Sequence, residues 1–232
     1  MRLNRFIGDF NLDAGRLTLR DLDVVHQIVH VLRLPVGSRV ILGDGTGYEA
    51  EGEIISVGKD TIEIALGGKR LNGNEPLRRV TLYLAVLKRE NFEQAAEKAT
   101  EAGAAKIVPV LSERTVKKGL NTERVRKIMK EAAEQSGRGI VPQLSEPMTF
   151  PDALQTAAGN DGNLFFHTEE GILLGEKPEV LSGKKISVFV GPEGGWSEAE
   201  VAEAKNAGFA LASLGRLTLR AETAAIIATY LA

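Results

Sequence analysis

The chain has 232 residues, 43% of them hydrophobic and 26% charged, with a formal net charge of −2 and no cysteine. That length can bury a core and hold one or two domains. The composition excludes a disulfide scaffold and thiolate metal sites. No run of about 18 apolar residues, the length needed to span a bilayer, occurs, and the start, MRLNRFIGDF, lacks a secretory signal's apolar stretch. A cytoplasmic protein without a membrane partner is expected. The charge is uneven: residues 71–140 carry an excess of Lys and Arg, and residues 141–232 an excess of Asp and Glu. A basic middle is where a nucleic-acid backbone would be sought, although a solvated helix face has the same composition.

In chain order, residues 1–70 read mainly as β. Ser38–Leu42, Tyr48–Val57 and Thr61–Leu66 are rich in β-branched residues and separated by glycine turns. One helix interrupts them: Asp21–Leu32 puts Leu22, Val25, Ile28, Val29 and Leu32 on one face, and Pro35 lies just beyond. A small barrel with one helix is predicted. Lys69–Leu77 is polar and turn-rich and reads as a linker to a second domain, 71–232. There strands and helices alternate: strand Val80–Val86, helix Phe92–Ala102, strand Lys106–Leu111 and helix Thr122–Gln135. Helix Asp152–Ala158, strand Asn163–His167, strand Lys185–Val190, helix Glu198–Ala207, strand Phe209–Leu214 and helix Glu222–Leu231 follow. Such alternation predicts a parallel sheet covered by helices on both faces.

Two glycine-punctuated loops stand out. GPEGGWS runs from Gly191 to Ser197, and LGRLTLRAETA from Leu214 to Ala224. Each follows an apolar run and opens a helix, so exposed amides and electropositive helix starts gather on one side of the sheet. Neither has the spacing of a dinucleotide fingerprint or a Walker loop. Glu193 is either compensation of a helix dipole or chemistry. Arg220 and Glu222 are either a cap with a surface ion pair, or a cation that stabilises anionic charge with a carboxylate that orients it. Gln135, Ser136 and Arg138, at the end of the basic helix, read as a glycine-capped basic turn or as base and phosphate contacts. His26 and His30 are four apart on a helix, but His167 is the only other histidine, so no metal site is expected. No Ser-His-Asp or Cys-His set supports covalent catalysis.

Five ordered blocks resemble the RsmE family of bacterial 16S ribosomal RNA uracil-N3 methyltransferases. They are His26–Val40, Leu87–Thr115, Glu131–Pro142, Phe189–Glu200 and Leu214–Ala224. The resemblance implies an α/β fold: a PUA-like N-terminal β-barrel and a C-terminal SPOUT domain with a trefoil knot, in a homodimer. It implies S-adenosylmethionine as methyl donor, held by Phe166, His167, Gly191, Pro192, Glu193, Gly194, Gly195, Leu214, Gly215, Leu219 and Arg220. The backbones of Leu214 and Leu219 would read the adenine edge. Methylation of a uracil N3 then gives Arg220 the role of stabilising charge on the base, and Glu193 or Glu222 that of taking the proton. Arg2, Arg5, Arg33, Arg124, Arg126, Lys127 and Arg138 are the expected grip on 16S rRNA, or on the small subunit that contains it. The chain departs from the family where Arg216 follows Gly215, a place commonly held by proline, and where Thr218 precedes Leu219; a looser loop is expected. A non-catalytic RNA-binding assembly factor on the same fold and a nucleotide-dependent enzyme are the rival readings.

Overall fold

The computed structural model describes residues 3–115, 119–168, 172–173 and 183–232. The chain divides into two compact units, one of residues 1–75 with 133–141, the other of residues 76–132 with 142–232.

The first unit holds β1 (Asn4–Ile7), β2 (Arg16–Leu19), α1 (Leu22–His26), β3 (Arg39–Gly43), β4 (Tyr48–Val57), β5 (Ile62–Leu66) and β6 (Arg70–Leu71). Its sheet runs β1-β3-β4-β5-β2, with β6 added to β4. Only the β1–β3 pairing is parallel. Asp21 caps α1 by accepting from the amides of Asp23 and Val24. The predicted single helix to Leu32 is not uniform, because Gln27–Val31 is wound as a π-helix. Helix and sheet bury Val24, Val25 and Ile28 against Phe6, Leu42, Ile54 and Ile64. β1 and β2 have no signal in the sequence reading; each is only four residues long.

The expected linker is largely built into this unit. Asn72 is buried and donates to Glu49 (2.7 Å) and to the Gly137 carbonyl (3.1 Å). Asn74 donates to the same carbonyl at 2.9 Å. Glu75 accepts from Arg138 and from the amides of Gly139 and Ile140.

The second unit comprises β7 (Arg79–Ala85), α2 (Arg89–Glu101), β8 (Lys106–Leu111), α3 (Thr122–Ser136), β9 (Gln143–Leu144), β10 (Met148–Thr149) and α4 (Phe150–Ala157). It continues with β11 (Gly162–Phe166), β12 (Ile172–Leu173), β13 (Lys185–Val190), α5 (Glu198–Asn206), β14 (Ala210–Ser213) and α6 (Ala221–Leu231); residues 133–136 of α3 group with the first unit. The sheet runs β10-β8-β7-β13-β11-β14-β12, with β9 beside β8, and every pairing is parallel. The alternation of β7 sorts its two faces. Val80, Leu82 and Leu84 pack with Phe92 and Ala96 of α2, Met129 of α3 and Ala225 and Ala228 of α6. Tyr83 and Ala85 pack with Phe150, Ala153 and Ala204 from α4 and α5. Helices thus cover both faces, as a buried parallel sheet requires. Because β13, β11 and β14 are adjacent and parallel, the loops leaving their C-terminal ends converge.

Candidate active site

The three loops after β11, β13 and β14 line one cavity of about 890 Å³, within the range of small-molecule sites. Its walls combine Phe166, His167, Gly191, Pro192, Glu193, Gly194, Gly195, Leu214, Gly215, Leu219, Arg220 and Glu222.

Backbone geometry builds the site. At Gly191 any Cβ would stand 3.1 Å from the Trp196 indole, so the chain there runs flush against the ring. Trp196 is buried, and its Nε1 donates to the Phe166 carbonyl at 3.2 Å, tying the second loop to the first. The Gly195 amide closes the turn on the Pro192 carbonyl at 2.8 Å. Ser197 and Glu200 then form the expected capping box at the start of α5. In the third loop Gly215 adopts φ +118, and its amide donates to Ser213 Oγ at 3.2 Å. The His167 amide donates to Ala212, joining the first loop to the third.

The charged groups divide by environment. Glu193 Oε1 accepts from the Lys88 amide (3.2 Å) and from Asn91 Nδ2 (3.3 Å), so this carboxylate sits at the electropositive start of α2. Glu222, in the first turn of α6, is only 6% exposed, and among the described residues its Oε2 has no hydrogen-bond partner. Arg220 is the exposed N-cap residue of α6, with no side-chain cap bond. Arg114 enters from the loop after β8 and donates from Nη1 to the Gly194 carbonyl at 2.8 Å. Sequence reasoning missed Arg114, Asn91 and the tie made by Trp196, because none has a diagnostic spacing; only the fold brings them to the cavity.

The expected RNA-gripping residues disperse. Arg2 lies outside the described residues. The side chains of Arg5 and Arg138 are 8% and 5% exposed and pair with Glu49 and Glu75 inside the first unit. A buried cation that lost such a partner would be left uncompensated. Arg33 is exposed, at φ 52 just after the π-helix. On α3, Arg124 and Arg126 pair with Glu93 and Glu146 at 2.9 and 2.8 Å; Lys127 is exposed on the same helix and has a partner of its own. The stripe is therefore interlaced with carboxylates. Among the described residues no group of three metal-ligating side chains occurs, and no helix is long and apolar enough to cross a membrane.

A family model described as an RNA methyltransferase domain matches residues 74–232, and one described as an RNA methyltransferase PUA domain matches residues 19–66. The ribosomal RNA small subunit methyltransferase E of Rickettsia conorii is 32% identical, over 98% of this chain and 94% of that protein. The chain belongs to the ribosomal RNA small subunit methyltransferase E family. The Bacillus subtilis member is 34% identical, over 88% of this chain and 84% of its own. The Neisseria gonorrhoeae member, solved bound to S-adenosyl methionine, superposes with a TM-score of 0.90 at 30% identity, covering 98% and 95% of the two chains. A Legionella pneumophila methyltransferase in complex with the same cofactor gives 0.89 at 27% identity, covering 100% and 96%. The α/β fold with a PUA-type N-terminal unit and a SPOUT-type sheet is that of this family.

Proposed function

We propose that this chain transfers a methyl group from S-adenosylmethionine to N3 of a uridine in 16S rRNA, in the cytoplasm and as a homodimer with a knotted C-terminal segment. The observation that carries the reading is the convergence of three backbone loops on one cavity, with a buried, unpartnered carboxylate oxygen and an exposed arginine at its edge. The residues fit the donor: Gly191–Gly195 and Leu214–Gly215 line the cavity with backbone amides and carbonyls. When bound, S-adenosylmethionine supplies an electrophilic methyl group on a cationic sulfur.

This chain's residues must then position the uracil, remove the N3 proton and tolerate the resulting negative charge. Fixing the reacting partners accounts for the largest share, roughly 7–11 kcal/mol for well-oriented groups. Arg220, exposed at the start of α6, supports the role of stabilising charge on the uracil oxygens. Of the two carboxylates, Glu193 is occupied at the start of α2, whereas Glu222 has a free acceptor atom; that contrast favours Glu222 as proton acceptor. The exposed apolar side chains Leu217, Tyr230 and Leu231 on and before α6 support a self-associating face. The PUA-type unit, with Arg33 exposed, is assigned to RNA.

Calorimetry should detect S-adenosylmethionine binding and no ATP or NAD binding; absence of donor binding would favour a non-catalytic assembly factor. Ribosomal RNA from a strain lacking the gene should lack N3-methyluridine at one position, and full persistence of the modification sinks the substrate assignment.

A further inference from the structure

The excess of positive charge in the middle of the sequence needs a working residue once α3 is found to be laced with ion pairs. One arginine of that region stands apart. Arg114 belongs to a rigid turn: the Ser112 amide donates to Thr115 Oγ1 at 3.0 Å, and the Thr115 amide returns to the Ser112 carbonyl at 3.1 Å. The Glu113 amide donates to Glu200 Oε1 at 2.9 Å, fixing the turn against the start of α5. Arg114 is exposed and lines the cavity. Its single bond to the Gly194 carbonyl uses one of five N–H donors. Among the described residues no carboxylate pairs with it, unlike Arg124 and Arg126.

A pre-oriented guanidinium with spare donors suits a phosphate, which it can take bidentately. The proposed substrate supplies one. A uridine that reaches the cavity leaves its stack base-first, so the phosphates on either side of it stay at the mouth. We infer that Arg114 is a substrate-positioning residue that grips a backbone phosphate of the RNA at the cavity mouth. The inference rests on the proposed reading of the site as an RNA methyltransferase centre. The bond to Gly194 holds the grip in fixed register with the donor loop, so that the base arrives where the methyl group is offered.

The test compares wild type, Arg114→Ala and Arg114→Lys. Three quantities are measured: the calorimetric dissociation constant for S-adenosylmethionine, the affinity for a 16S rRNA fragment carrying the target uridine at several salt concentrations, and KM and kcat for its methylation. Arg114→Ala is expected to weaken RNA affinity and raise KM roughly tenfold, the loss of one charge-assisted bond. It should also flatten the log-affinity against log-salt slope by about 0.7–0.9, one phosphate contact. Donor affinity should stay unchanged. Arg114→Lys should restore the salt slope. An unaltered slope in Arg114→Ala, or a loss confined to donor affinity, overturns the inference and leaves Arg114 as a prop for Gly194. If wild type binds RNA but transfers no methyl group, the functional reading fails by itself, and the salt slopes still decide whether Arg114 holds a phosphate.

Discussion

Glu222 and Glu193 are both carboxylates beside helix starts, yet their surroundings assign them different work. Glu193 satisfies the beginning of α2, while Glu222 leaves one buried oxygen without a partner. Glu222→Gln keeps the shape and removes the base, so kcat should fall by about 10²–10⁴-fold while calorimetric donor affinity is retained; a variant with wild-type kcat would exclude Glu222 as proton acceptor. The same contrast of partners separates the arginines. Arg138 is a structural residue: Arg138→Ala should lower stability by about 3 kcal/mol, because Glu75 loses its buried partner, and chemical denaturation would register it. Glu49 gives a pH signature. Burial alone would raise its carboxyl, but hydrogen bonds from Arg5, Asn72 and Arg70 prevail and hold it below its ordinary value of 4.5. A depressed folded value means that Glu49 contributes stability above about pH 4.5 and loses it as pH falls through the folded value. Thermal melts should therefore show Glu49→Gln less stable than wild type near neutrality, with the gap closing in acid.

At the scale of elements, the loops matter more than the helices they open. Gly215 holds φ +118 in open space, with nothing within 4 Å of a built Cβ. Gly215→Ala would therefore cost backbone strain alone, about 1–3 kcal/mol, and the loop would relax to relieve it. Donor affinity should drop severalfold while the melting temperature hardly moves, a pair of results that calorimetry and thermal denaturation can check. Helix α3 was legible from its 3.6-residue stripe and α5 from its caps, and β7, β8 and β13 from their apolar runs. The short strands β1, β2, β6, β9, β10 and β12 were not, because two to four residues carry no periodicity and are held by neighbours distant in sequence. The π-helix of Gln27–Val31 shares its apolar pattern with an α-helix and was equally hidden.

At the scale of the molecule, α6 and the loop before it leave Leu217 81% exposed, Tyr230 76% and Leu231 44%. Exposed apolar side chains at both ends of this helix suit self-association. Sedimentation should find a dimer in wild type and a shift toward monomer in Tyr230→Glu, which would bury a charge at the contact; a monomeric wild type would overturn the proposed assembly. The grouping of residues 133–141 with the first unit has the same origin as the hidden arginines. Glu134 accepts from the Ile7 amide at 2.8 Å, and the Gly47 amide donates to Gly139 at 3.2 Å, contacts between positions some ninety or more residues apart that no local pattern announces.

The sequence by itself determined the alternation of strands and helices, the two glycine loops and the blocks that carry the family resemblance, because periodicity, turn chemistry and capping act over a few residues. Only the tertiary structure decided which charges are spent and which are available. Arg5, Arg124, Arg126 and Arg138 look alike along the chain, but folding pairs them with Glu49, Glu93, Glu146 and Glu75 and leaves Arg114 and Arg220 beside the cavity. The free energy of a charge is set by its distance to partners and by its burial, and both are fixed by long-range packing.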